Sequence, residues 1–103
     1  MKYAIPMNEK NKDAKIASIL GRAKYFAIYD TEKEELNFLD NPGAKETRGA
    51  GNLAARKIGE LGVDKIITIH IGPNAENALK VADVEIVIEN DITLNDTIEK
   101  YSK

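Results

Sequence analysis

The 103 residues contain no cysteine and no tryptophan, only one histidine, and just 6% aromatics. Without a thiol the chain cannot supply a thiolate nucleophile, a CxxC redox pair, a cysteine-ligated zinc or an all-cysteine iron–sulfur cage. No Ser/Pro-rich break divides the sequence, and its length suits one domain, 1–103, whose single core needs neither a disulfide nor a structural metal. Long apolar runs are also missing. None approaches the ~20 residues that span a bilayer, and Met1-Lys2-Tyr3-Ala4-Ile5-Pro6 lacks the apolar core of a signal peptide, so the expectation is a cytoplasmic protein without a membrane partner. Neither sign of charge dominates: 15 Lys and Arg against 17 Asp and Glu give a net charge of -2, which provides no global pull toward nucleic acid.

What is present is an alternation of strand and helix signals. Tyr3-Ala4-Ile5-Pro6-Met7 reads as a first strand, with Pro6 near its end because proline cannot donate to a central ladder. Residues 8–15 follow as a polar loop. Residues 24–30 and 34–40 are two strands that Thr31-Glu32-Lys33 is short enough to join as a hairpin. Asn41-Pro42-Gly43 stops the third strand, and a loop runs on to a helix from about Asn52, with Leu53, Ala54, Ile58 and Leu61 on one stripe and Gly62 ending it. The branched run Lys65-Ile66-Ile67-Thr68-Ile69 has the pattern of a central strand covered on both faces. A second helix opens at Pro73 with Ala75, Ala78, Leu79 and Ala82 at helical spacing. Residues 84–88 form a fifth strand, and Thr93-Leu94-Asn95-Asp96 caps a last helix whose Leu94, Ile98 and Tyr101 face inward.

The order βββαβαβα predicts an α/β fold with a five-stranded mixed sheet, strand order 3-2-1-4-5, because hairpin strands pair antiparallel while helix-linked strands run parallel through right-handed crossovers. Loops 8–15, 20–22, 41–51 and 70–74 then share the carboxyl edge, where open α/β sheets bind ligands. Gly49 and Gly51 lead into one helix N-terminus, Gly72 and Asn74 into another, and both offer backbone N–H groups and a positive dipole end to an anion. Arg22 and Arg48 could add charge-assisted donors, against the alternative that they are solvated loop residues. The Gly-Ala-Gly turn lacks the Lys-Ser/Thr ending of a phosphate-binding loop, so a classical nucleotide site is not expected. His70, at the end of the fourth strand, and Met7, at the end of the first, are the remaining soft or borderline metal donors at this edge. The alternatives are a hydrogen-bonding histidine and a methionine that fills core.

Taken in order, Ala4-Ile5-Pro6, Leu20-Gly21-Arg22-Ala23, Asn41-Pro42, Gly49-Ala50-Gly51, Gly62-Val63-Asp64 and Ile71-Gly72-Pro73-Asn74-Ala75 resemble the dinitrogenase iron–molybdenum cofactor biosynthesis family, the small domain of NifX-type proteins and of the NifB C-terminus. The resemblance runs almost end to end. It implies a ribonuclease H-like three-layer fold and a role in holding or passing an iron–molybdenum or iron–sulfur cofactor precursor, with cofactor-assembly proteins as partners. The sequence departs from the family at Ile19, which stands where the family often has a histidine.

A ribonuclease H-like fold invites a nuclease reading, but two-metal phosphoryl chemistry needs carboxylates converging on the sheet, and Asp13 lies in the loop after the first strand, Asp40 at the end of the third and Asp91 after the fifth. Ser18 and Thr68 have no base in reach of a recognisable motif other than His70. The expectation is therefore a non-catalytic binding domain. Its alternatives are a protein-interaction domain that has lost the cofactor and a small-anion-binding regulatory domain.

Overall fold

The computed structural model describes residues 1–46 and 49–101. One sheet of five strands has the order β3-β2-β1-β4-β5, built from β1 (Lys2–Met7), β2 (Tyr25–Asp30), β3 (Glu35–Asp40), β4 (Lys65–Thr68) and β5 (Glu85–Ile88). β1 to β3 pair antiparallel, and β1, β4 and β5 run parallel, as the connections require. The hairpin is closed by Asp30, whose carboxylate accepts from the backbone N–H groups of Glu32 and Lys33 at 3.0 and 3.4 Å, while Glu34 takes up the left-handed turn at φ 54°.

The helices lie in two layers. Helices α1 (Ala50–Glu60) and α2 (Pro73–Val81) bury Ala54, Ala55, Ile58, Ala75 and Leu79 against Ala4, Phe26 and Ile66 on one face of the sheet. Helix α3 (Leu94–Tyr101) packs Leu94, Ile98 and Tyr101 on the other, with Tyr3, Ile5 and Ile67. The period-two alternation of β1 sends Ala4 to one cluster and Tyr3, Ile5 and Met7 to the other. Fully burying each large side chain such as Leu79 or Ile58 contributes about 1.5–3 kcal/mol. Thr93 caps α3 by accepting from the Asp96 N–H at 3.1 Å, and Glu89 accepts from Tyr101 and Lys100 at 2.5 and 2.8 Å, fastening the far end of the helix.

One detail departs from the sequence reading and a second extends it. Helix α1 starts two residues before Asn52, with Gly49 in the left-handed region at φ 69° as its N-cap; its buried stripe is Ala54, Ala55 and Ile58, and Leu53 is left half-buried. Pro6 stands inside the central strand, in register with Phe26. Having no N–H, it cannot extend the parallel ladder to β4, which stops at Ala4 and Ile66. The next stretch of chain fills the opening: Ala17 donates to the Pro6 carbonyl at 2.8 Å, and Ile19 bridges to His70. The sheet therefore splays at its carboxyl edge.

Candidate functional site

A cleft of about 390 Å³ opens where β1 and β4 part, lined by residues 19–22, 49–52 and 70–75. Of the residues singled out in the sequence, Arg22, Gly49, Gly51, His70, Gly72 and Asn74 all line it. Arg48 lies outside the described residues. Met7 does not reach the cleft. It shares the α3 face with Tyr3 and Ile5, is fully buried, and fills core instead of offering its sulfur as a ligand. The loop 8–15 is displaced as well: it packs on the start of α3, where Lys12 O and Ala14 O accept from Asn95 N and Leu94 N.

Three short segments build the cleft wall. The residues of a tight turn, Leu20–Arg22, lie against the first turn of α1 so closely that a Cβ on Gly21 would sit 2.7 Å from Gly51 N. A second tight turn, Pro42–Lys45, backs the same helix end, and a Cβ on Gly43 would overlap the Ala50 carbonyl. At Gly51 α2 approaches, with the Ala75 methyl 3.4 Å from where a Cβ would be. The glycines at 21 and 43 are thus demanded by close approach of backbone, whereas a Cβ at 51 would make only ordinary contact with Ala75.

This packing brings two helix N-termini together. The first helical hydrogen bonds run from Leu53 N to Gly49 O and from Glu76 N to Gly72 O, so the amides of residues 50–52 and of Asn74 and Ala75 have no helical acceptor, and Pro73 has no N–H to satisfy. His70 is exposed at the mouth, and its carbonyl takes a long contact of 3.4 Å from the buried Thr68 hydroxyl. Arg22 is exposed too, but its guanidinium is tied to the Glu46 carbonyl at 2.6 Å, which joins the two turns. Ile19, 53% exposed, places an apolar side chain beside His70. None of the lining residues is Asp or Glu.

Asn41 is the residue that sequence reasoning missed. It was legible as a strand stop and as part of the Asn41-Pro42 motif of the resemblance, yet its buried side chain donates to Leu20 O and Ala23 O at 3.0 and 2.8 Å and accepts from Gly43 N at 2.9 Å. The signal available was an Asn-Pro-Gly turn, which gives no hint of partners some twenty residues away.

The donor set at the cleft selects among metal-bearing groups. Among the described residues no cluster of three or more His, Cys, Asp or Glu could hold a metal ion, and His70 is the single strong protein donor in the cleft. That set does not fit a cluster built onto the chain's own ligands. N–H groups, an imidazole and apolar side chains instead suit a preformed anion. No helix among the described residues is long and apolar enough to cross a membrane.

Comparison with known proteins agrees with this architecture. The orange protein of Desulfovibrio gigas, solved in its apo form, superposes with a TM-score of 0.90 over 97% of this chain and 85% of its own at 22% identity, a likeness of fold. A Thermotoga protein ascribed to NifB, solved by NMR, is 28% identical with a TM-score of 0.82, covering 98% of this chain and 86% of its own. In sequence, an uncharacterised Methanocaldococcus jannaschii protein is 25% identical over 98% of this chain and 85% of its own length. The model of the family described as dinitrogenase iron-molybdenum cofactor matches residues 1–103, and the chain belongs to that family.

Proposed function

We propose that the chain is a non-catalytic accessory or carrier domain, its 103 residues acting as one unit, that takes an anionic iron–molybdenum or iron–sulfur cofactor, or a precursor of one, into the cleft and exchanges it with cofactor-assembly proteins. The supporting observation is the lining itself: in a chain with 17 acidic residues, this concavity combines two helix N-termini, Arg22 and His70 with apolar Ile19, Ile71 and Pro73 and has no carboxylate. Free amides and a positive dipole end favour negative charge, and the apolar lining favours a bulky, weakly hydrated anion over a small oxyanion. When bound, the cofactor itself would supply the redox and metal chemistry; the chain's part is to bind it, orient it and limit its contact with water. Domain and partner assignments follow from the same reading.

Anaerobic titration with tetrathiomolybdate, a soluble molybdenum–sulfur anion, followed by absorbance, tests this. Micromolar binding that weakens about tenfold in His70→Ala supports the proposal, equivalent to roughly 1.4 kcal/mol. A flat titration at tens of micromolar protein overturns it. One observation favours a second reading, a protein-interaction or small-anion regulatory domain: Ile19 is exposed where the family often has a histidine. Thermal stabilisation by phosphate or sulfate, with none by the sulfur-containing anion, would select that reading instead.

A further inference from the structure

Behind the cleft wall, outside the cleft itself, lies a side chain that appears in none of the roles so far assigned. Asn41 directly follows β3 and is 5% exposed. Its amide reaches both ends of the turn that forms the wall, Leu20 O at 3.0 Å and Ala23 O at 2.8 Å, while its oxygen holds Gly43 N at 2.9 Å in the second turn. A buried amide is retained at such a place only when its polar atoms are satisfied, and here one side chain satisfies three backbone groups from two separate turns. Those turns carry Gly21 and Gly43, the two positions at which backbone lies directly on the first residues of α1.

We propose that Asn41 is a positioning residue for the cleft: it fixes the wall of residues 20–22 against the α1 N-terminus, so that the amides facing a ligand are already oriented before one arrives. Chains of contact of this kind decide whether a set of N–H donors binds or merely exists, because donors that must first be ordered bind more weakly by the cost of ordering. Arg22 supports the same junction from the exposed side through Glu46 O, but a solvent-exposed guanidinium cannot replace a buried lock. Asn41 is not itself a lining residue; it meets the lining through its bond to Leu20 O, and its effect on the α1 N-terminus travels through the two turns.

The affinity part of the test rests on the cofactor reading; the exchange part does not. Asn41→Ala is compared with Leu94→Ala, a cavity variant in the core on the opposite face of the sheet, at a temperature where both are fully folded. Native-state hydrogen exchange without ligand is expected to rise about tenfold or more at Ala23 and Leu53 in Asn41→Ala, beyond any change at Ile66 and Ile67, and not to do so in Leu94→Ala. Tetrathiomolybdate affinity is expected to fall about tenfold in Asn41→Ala and less than about twofold in Leu94→Ala. Asn41→Asp, which keeps the acceptor and loses both donors, should loosen the turn 20–22 while leaving Gly43 protected, and it serves if the alanine variant does not fold. If exchange rises evenly over the sheet and the cleft in either Asn41 variant, Asn41 is merely structural and the proposal is overturned. If the wild-type chain fails to bind the probe while exchange responds as described, the cofactor reading fails and the positioning role stands.

Discussion

Gly21→Ala isolates the contact on which the cleft depends. The added Cβ would lie 2.7 Å from Gly51 N and 3.0 Å from both Ala50 C and Gly51 Cα, about 0.7 Å inside the 3.4 Å at which ordinary contact begins. Every offending atom is backbone. None can rotate away, and the first turn of α1 is held from other sides by the Gly43 contact with Ala50 and the approach of Ala75 to Gly51. Overpacking of this kind costs about 1–3 kcal/mol, or roughly 8–16 °C in melting temperature for a central value near 2 kcal/mol in a domain of this size. Gly72→Ala is the control within the same cleft. Its φ of -80° suits any residue and no atom lies within 4 Å of the new Cβ, so the gain from a stiffer unfolded chain and the poorer N-cap leave stability within about 0.5 kcal/mol of the parent. Urea unfolding followed by far-UV circular dichroism measures both variants, with an unchanged m-value showing that the unfolded state is the same. A Gly21→Ala chain as stable as the parent, or a Gly72→Ala chain as damaged as it, would refute the argument that backbone approach fixes this wall.

Two further predictions concern α3. Glu89, its side chain 10% exposed, has its carboxyl lowered from the ordinary 4.5 to about 2, chiefly by the hydrogen bond from Lys100 and then by that from Tyr101. A depressed carboxyl contributes stability that is fully present above about pH 4.5 and is lost as pH falls toward 2. Glu89→Gln should therefore be less stable at pH 7, on the order of 1–2 kcal/mol because Lys100 is half exposed, and the gap should close across that window in a pH series of melting temperatures. Thr93→Ala removes the acceptor for Asp96 N and should cost about 1 kcal/mol, or about 4–8 °C, whereas Thr93→Ser, which keeps an acceptor oxygen, should recover most of it.

Much of this architecture is legible in the chain. The branched run of β4, the small-residue stripe of α2, the hairpin signals between β2 and β3 and the Thr93 cap each express a local period or a local hydrogen bond, and together they restrict the topology to the strand order found. The convergence of Gly49, Gly51, Gly72 and Asn74 follows from that order, since loops after parallel strands share one edge. Pro6 was legible as a residue that cannot donate, but not its consequence, because the side of the strand left without a donor depends on which neighbour stands there. Met7 shows the limit of sequence proximity: it ends a strand that leads to the cleft, and alternation turns it to the opposite face.

By itself the sequence determined what the cleft could be made of: no thiol, one imidazole, and glycines leading into two helices. Tertiary structure alone decided how those pieces meet. Gly21 against Gly51, Ile19 beside His70 and Asn41 bound to Leu20 are contacts between residues some twenty to fifty positions apart. Local propensity carries no record of such pairs, since they form only when the splayed sheet and the packed helix ends fix the distances between them.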